Sequence, residues 1–92
     1  MGAEYETLIR MPRYKCHKEV WALKIREVRT VTLNGQPMTE IVPEDDKYAT
    51  FLVGSEYVKK HEPYSGGYYV VYDDGYTSFS PAEAFENGYT RL

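Results

Sequence analysis

The sequence predicts an α+β fold in which a small antiparallel β-sheet dominates and one or two short capped helices lie at its margin. Three observations predict this class: apolar stretches of strand length, Asn-Gly and Asp-Gly pairs between such stretches, and two short segments with helix-capping residues. Strands joined by hairpins, without long crossover helices, are typical of antiparallel sheets. A chain of 92 residues has the length of one domain.

The first segment is predicted to be an arm. Residues 1–12 carry few apolar side chains and end at Pro12, so we expect an N-terminal arm there and a single α+β domain at residues 13–92.

The segment from Tyr14 to Leu33 is predicted to be extended, as one long strand or as two strands with a bend. Apolar and β-branched residues follow one another closely along it, which favours a strand. Residues 18–28 also fit a helical stripe through Trp21, Ile25 and Val28, so a helix is the alternative.

Asn34-Gly35 stands between two β-branched stretches, residues 31–33 and 38–42, and this pair predicts a tight hairpin. Residues 49–53 form the next predicted strand. A short helix should follow, capped by Ser55 and ended by Pro63.

The C-terminal third predicts a strand, a turn and a second strand. Alternation over residues 68–72 is typical of a strand, and Asp74-Gly75 supplies the two residues that suit a type I′ turn.

A capped helix is predicted after this hairpin, over residues 81–87. Ser80 provides an N-cap oxygen, Pro81 suits the first helical position, and Glu83 completes a capping box. Gly88 should end the helix in a left-handed conformation.

Charge and cysteine content narrow the classes of function. The net charge is −3, which disfavours binding of extended nucleic acid, although seven basic residues fall within twenty positions: Arg10, Arg13, Lys15, Lys18, Lys24, Arg26 and Arg29. Cys16 is the only cysteine, so no disulfide forms within the chain. With no signal peptide and no apolar span, the expected location is the cytoplasm and no membrane contact is expected.

The sequence shows no set of residues typical of a catalytic or metal site. Enzymatic activity, a cofactor and a bound metal ion are therefore not expected. His17 and His61 lack further ligands at zinc-binding spacing. Cys16 and His17 are adjacent in a predicted strand and should therefore point to opposite faces. Gly66-Gly67 precedes a strand and lacks a following Lys-Ser or Lys-Thr, so it is not a phosphate loop.

The chain contains ten tyrosines, more than a core of this size is expected to bury. Tyrosine suits rims and interfaces, so a closed homo-oligomer is expected. The alternative to an oligomer is a small two-layer protein that simply places its tyrosines at its rims. For ligand recognition by the tyrosine-rich hairpin, the alternative is cross-strand tyrosine pairs that only stabilise the hairpin.

Three stretches of the sequence, residues 14–25, 60–63 and 67–91, resemble a family of short, mostly uncharacterised proteins of tailed bacteriophages and prophages. The resemblance spans residues 14–92, and its most specific part is the closing motif Gly-Tyr-Tyr-Val-Val-Tyr-Asp-Asp-Gly-Tyr-Thr-Ser-Phe-Ser-Pro-Ala-Glu-Ala-Phe-Glu-Asn-Gly-Tyr-Thr-Arg. It implies a phage accessory protein that acts in the cytoplasm of the infected bacterium. It does not imply a particular reaction.

The functional hypothesis combines the basic segment with the tyrosine-rich unit. Small oligomeric phage proteins of this style are similar to sponges that sequester nucleotide immune signals, such as cyclic dinucleotides or cyclic ADP-ribose isomers, and so block host defence. The alternative is an accessory protein that binds a host or virion protein and has no small-molecule ligand. Stacking on rings and pairing with phosphates would use Lys18, Trp21, Lys24, Tyr69, Tyr76 and Arg91.

In an unbroken strand Lys18 and Lys24 would lie about 20 Å apart, too far to hold one phosphate without a bend or a second subunit. The competing interpretation places Trp21 in the core and the lysines in solvent.

Overall fold

The computed structural model describes residues 19–89, and it confirms the predicted class over that range. A five-stranded antiparallel sheet carries two short helices. In chain order the elements are β1 (Trp21–Leu33), β2 (Gln36–Pro43), β3 (Phe51–Val53), α1 (Ser55–His61), β4 (Tyr68–Val71), β5 (Thr77–Ser80) and α2 (Ala82–Gly88). The predicted arm at residues 1–12, Lys18 and Arg91 lie outside the described residues.

β1 is the central strand of the sheet, whose order is β3-β2-β1-β4-β5. Its first residues, 21–24, pair with β4, and the rest of the strand pairs with β2. A register shift between Ile25 and Glu27 marks a bulge where β1 passes from one neighbour to the other. The extended prediction is therefore confirmed from Trp21 onward, and the helical alternative is wrong there because the segment pairs with β4 over residues 21–24 and with β2 from Ile25 onward.

The two helices pack on opposite faces of the sheet. Tyr69 contacts Tyr57 of α1, whereas the neighbouring Tyr68 stacks on Phe85 of α2. Adjacent residues of a strand point to opposite faces, so these contacts define an α1 face and an α2 face. The main core lies on the α1 face and consists of Ile25, Ile41 and Val53, with partly buried side chains of α1 and the strands packed against it.

The two tight hairpins differ in turn type. The predicted hairpin at Asn34-Gly35 is confirmed, and these residues have φ angles of 52° and 77°, as a type I′ turn requires. In the second hairpin only Gly75 has a positive φ, 89°, and its N–H donates to the carbonyl of Tyr72 at 2.9 Å. The predicted type I′ turn at Asp74-Gly75 is wrong: the loop has three residues, and Asp74 Oδ1 instead accepts the N–H of Tyr76 at 2.9 Å.

The helix termini also depart from the predicted caps. Ser80 is the last residue of β5 and pairs with Tyr68, and its hydroxyl donates to the Pro81 carbonyl, so Pro81 occupies the N-cap position of α2 without a side-chain cap. Gly88 belongs to the helix, and the extended Tyr89 is its C-cap. The predicted Ser80 cap and left-handed Gly88 are both wrong. Ser80 is held in the sheet by its pairing with Tyr68, and Gly88 continues the helix up to the extended Tyr89.

α1 begins at Ser55, with Gly54 at the N-cap position, one residue before the predicted cap. It ends as predicted before Pro63. Glu62 adopts a left-handed conformation with φ of 45°, and its N–H donates to the Val58 carbonyl at 2.9 Å.

Candidate functional site

Two of the six predicted site residues come together in the fold. Trp21 and Tyr69 line one groove on the α1 face, and we call it the Trp21 groove. Lys24 lies on the α2 face, and Tyr76 lies beside α1. Lys18 and Arg91 are outside the described residues, so their predicted roles stay predictions.

The Trp21 groove has a volume of about 240 Å³ and a largely apolar lining. Trp21 is the only tryptophan of the chain, and it is 66% exposed, so its ring stands at the surface and not in the core. The lining residues are Trp21, Ala22, Leu23, Tyr48, Tyr69 and Val71.

Strand pairing positions most of this groove. β1 and β4 are antiparallel neighbours, with Trp21 opposite Val71 and Leu23 opposite Tyr69. All four side chains share the α1 face because opposed residues of paired strands lie on the same side.

Tyr48 completes the groove and was missed by sequence reasoning. It comes from the loop between β2 and β3, where its N–H donates to the Asp45 carbonyl at 3.2 Å and Lys47 N–H donates to Asp45 Oδ1 at 3.0 Å. The acidic turn was recognisable in the sequence, but the side of the sheet on which its tyrosine would fall was not.

A continuous row of rings runs from the groove across α1, and we call it the ring row. The centroid of Tyr69 lies 4.7 Å from Phe51 and 5.6 Å from Tyr57. Tyr57 lies 4.8 Å from His61, which is 6.2 Å from Tyr76. The interplanar angles, from 41° to 71°, are the tilted and edge-on arrangements that aromatic rings prefer.

The far end of the ring row is exposed and carries a cation. Lys60 Nζ lies 5.2 Å from the ring centroid of Tyr76, a side chain that is 46% exposed. This distance is within the range of a cation–π contact. An exposed ring with an ammonium beside it can accept a planar group that bears negative charge.

Lys24 is engaged on the opposite face. Its Nζ lies 3.3 Å from Glu86 Oε2, and the Tyr68 hydroxyl donates to the same oxygen at 2.7 Å. These two partners lower the pKa of Glu86, and the carboxylate in turn raises the pKa of Lys24. The geometry therefore does not bring this lysine to Trp21 and Tyr69.

This separation was recognisable from the sequence, because residues three apart in a strand point to opposite faces.

Across residues 19–89 no group of three or more His, Cys, Asp or Glu is placed to hold a metal ion. In the same part of the chain, no helix has the length and apolar character needed to cross a membrane.

Comparison with known proteins adds no relative: the sequence matches no protein-family model and no curated protein, and no solved structure matches the chain.

The Tyr57 side chain in the ring row makes the stability of the fold depend on pH in the alkaline range. Its hydroxyl donates to the Ser78 carbonyl at 2.7 Å, and burial raises the pKa of this phenol, with a smaller contribution from Tyr69. The folded state thus favours the neutral phenol, whose stabilising effect is complete below about pH 10 and is lost as the pH rises further.

We expect Tyr57→Phe to cost about 1 kcal/mol near neutral pH, through the lost hydrogen bond. That cost should shrink above about pH 10, because the Tyr57 phenol then ionises in the unfolded wild type while it stays neutral in the folded state. Urea unfolding at neutral and alkaline pH measures both quantities. Tyr64→Phe is the matched control, since it removes a hydroxyl from a side chain that is 53% exposed. A cost that stays constant across the two pH values would contradict the prediction.

Proposed function

We propose that this protein acts by binding and not by catalysis, and that its partner is a protein whose apolar or aromatic side chain enters the Trp21 groove. The observation that carries the proposal is the exposure of the single tryptophan, 66%, above an apolar groove. Leaving an indole in water is unfavourable, and tryptophan and tyrosine are the residues that most often dominate the energy of protein interfaces.

The size of the groove supports a protein partner over a small molecule. Ligand pockets usually have volumes of about 300–1,000 Å³ and enclose most of the ligand. The Trp21 groove, at about 240 Å³, is smaller and suits one anchoring side chain. Its apolar lining also matches the centre of an interface, where charged residues are depleted.

The position of Lys24, which was predicted to pair with phosphate, also favours a protein partner over a phosphate-bearing ligand at this groove. Lys24 contacts Glu86 on the other face and does not supply positive charge to the groove. On the resemblance to phage proteins, the partner would be a host or virion protein in the infected bacterium.

Photocrosslinking from position 48 tests this proposal. The protein carrying a benzophenone amino acid in place of Tyr48 is expressed in the bacterial host and irradiated, and adducts are identified by mass spectrometry. We expect one discrete protein adduct, at least tenfold reduced when Trp21→Ala is added. The matched control carries the same group in place of Tyr64, another exposed tyrosine, and should not form that adduct. Equal adducts from both positions, or no effect of Trp21→Ala, would refute the proposal.

A nucleotide sponge is the second candidate, and the exposed end of the ring row favours it. Tyr76 and Lys60 there offer a stacking surface and an ammonium group within 5.2 Å of each other. A base would stack on the ring while the lysine pairs with phosphate. Sequestration needs affinity alone, so this candidate requires no catalytic group.

The sponge has a direct test. The purified protein is incubated with cyclic dinucleotides and cyclic ADP-ribose isomers, washed and heated, and the supernatant is analysed by mass spectrometry. A sponge should release one intact ligand in stoichiometric amount, and calorimetry on Tyr76→Ala should show at least a tenfold loss of affinity. Turnover of the ligand would indicate an enzyme, and the absence of any retained nucleotide would eliminate this candidate.

A further inference from the structure

Among residues 19–89, the distal half of β1 has one edge paired with β2 and one edge without a partner strand. β2 pairs with it along its length, whereas β4 pairs with β1 only from Trp21 to Lys24. The loop before β4 closes the next positions, where Gly66 N–H donates to the Ile25 carbonyl and the Ser65 hydroxyl donates to the Arg26 carbonyl. In the part of the chain that the structure describes, no strand pairs with this edge beyond those contacts.

The turn geometry identifies the backbone groups that this edge presents. In a two-residue type I′ hairpin, the flanking pair, here Leu33 and Gln36, exchanges hydrogen bonds. Because hydrogen-bonded and non-hydrogen-bonded pairs alternate, the N–H and C=O groups of Val28, Thr30 and Thr32 point away from β2. These three β-branched residues form what we call the β1 edge, and Thr30 and Thr32 are exposed.

The other sheet edges are less suited to pairing. Pro37, opposite Thr32, has no N–H to offer along the outer side of β2. β3 has three residues, and β5 has four and is followed directly by Pro81. Short edges and prolines are devices that prevent sheet extension, and the β1 edge has neither.

We propose that the β1 edge binds a second copy of this chain, as an antiparallel strand pair with its two-fold axis at Thr30. This register sets Thr30 opposite Thr30 of the partner subunit and Val28 opposite Thr32 of the partner subunit. About six backbone hydrogen bonds form, because all the outward groups of the edge find partners. The sheet then continues through both subunits.

The segment is complementary to itself in this register. Threonine–threonine and valine–threonine pairs are favourable cross-strand neighbours, and no charged residue lies directly opposite a like charge. Arg29 is opposite Val31 of the partner subunit, and its guanidinium is held by Glu40 of its own chain at 2.6 Å. Centring the pair on Arg29 would instead oppose two like charges, so the Thr30 register is preferred.

A second copy would also stabilise the free end of the β1–β2 hairpin. Residues 29–38 form two strands with little cover, and two-stranded hairpins are marginally stable in water. Few hydrophobic residues in the described range are buried: Ile25, Ile41, Val42, Val53 and Val70. A second subunit would bury more of this hairpin, independently of the partner proposed for the Trp21 groove.

Light scattering after size exclusion, over a range of concentrations, tests the proposal. The wild type should shift from the 10.7 kDa monomer toward twice that mass. Thr30→Pro removes an outward N–H, and Thr30→Lys opposes two ammonium groups at the axis; each should raise the dissociation constant at least tenfold. Thr30→Val keeps the N–H and the β-branch and is the matched control. Circular dichroism verifies folding, and Thr30→Lys decides the matter if the proline variant does not fold.

Spin labels report the register directly. In a Cys16→Ser background, labels at Thr30→Cys should lie on directly opposed residues and broaden the spectrum strongly. Labels at Leu33→Cys should be separated by about 20 Å and broaden it far less. A monomer at every concentration, a dimer unaffected by Thr30→Lys, or equal broadening at both positions would overturn the proposal.

Discussion

Replacing Ile41 with alanine should lower the free energy of unfolding by about 3 kcal/mol. Ile41 is fully buried, with 0% of its surface exposed, and it forms the core cluster with Ile25 and Val53. The substitution removes the apolar surface that folding buries and leaves a cavity, since β1 and β3 on either side of β2 hold the backbone in place.

The loss would be a large fraction of the total stability, which for small domains is about 5–15 kcal/mol. Urea unfolding followed by circular dichroism measures it. Leu52→Ala is the matched control, because it shortens an aliphatic side chain on the neighbouring strand that is 41% exposed, and it should cost under about 1 kcal/mol. Equal costs for the two variants would contradict the assignment of the core to the α1 face.

The strand and hairpin elements were predictable because local chemistry determines them. Asn34 and Gly35 both accept positive φ, and this preference acts whatever the rest of the chain does. Alternation of side chains likewise marked β4 and the first part of β1. The turn at Asp74-Gly75 shows the limit, since a two-residue and a three-residue loop use the same residue types and the strand register chooses between them.

The predictions of the helix caps were wrong for a related reason. Ser80 has the right chemistry for an N-cap, but its position opposite Tyr68 makes it a strand residue, and the helix begins only after Pro81. Local capping preference is worth about 1 kcal/mol, which the neighbouring sheet pairing and packing outweigh.

The candidate site was only partly predictable. Trp21 and Tyr69 were selected for their chemistry, yet they meet because β1 pairs with β4, a contact between segments distant in sequence. No periodicity encodes which strands pair or in which register. Tyr48 illustrates this further, since its place in the groove depends on where a surface loop crosses the sheet.

A close contact in the fold requires glycine at position 67, and the sequence did not reveal this contact. A Cβ atom at this position would lie 2.2 Å from Cζ and 2.3 Å from Cε1 of Phe79, and 3.0 Å from the Ser80 carbonyl oxygen. Its φ is not in the positive range, unlike that of Gly66, at 95°. The glycine pair therefore serves two structural needs: Gly66 turns the chain, and Gly67 makes room for the Phe79 ring.

Gly67→Ala should therefore destabilise the fold by about 2 kcal/mol, through the overpacking that a displaced Phe79 ring and strand β5 would cause. Thermal and urea unfolding measure the loss. Gly54→Ala is the matched control, because nothing lies within 4 Å of its added Cβ and its φ is not positive. The Phe79→Leu background separates the mechanisms: a smaller, flexible side chain should reduce the cost of Gly67→Ala by about 1 kcal/mol in a double-mutant cycle. An unchanged cost in that background would assign the effect to the backbone at Ser80 and not to the ring.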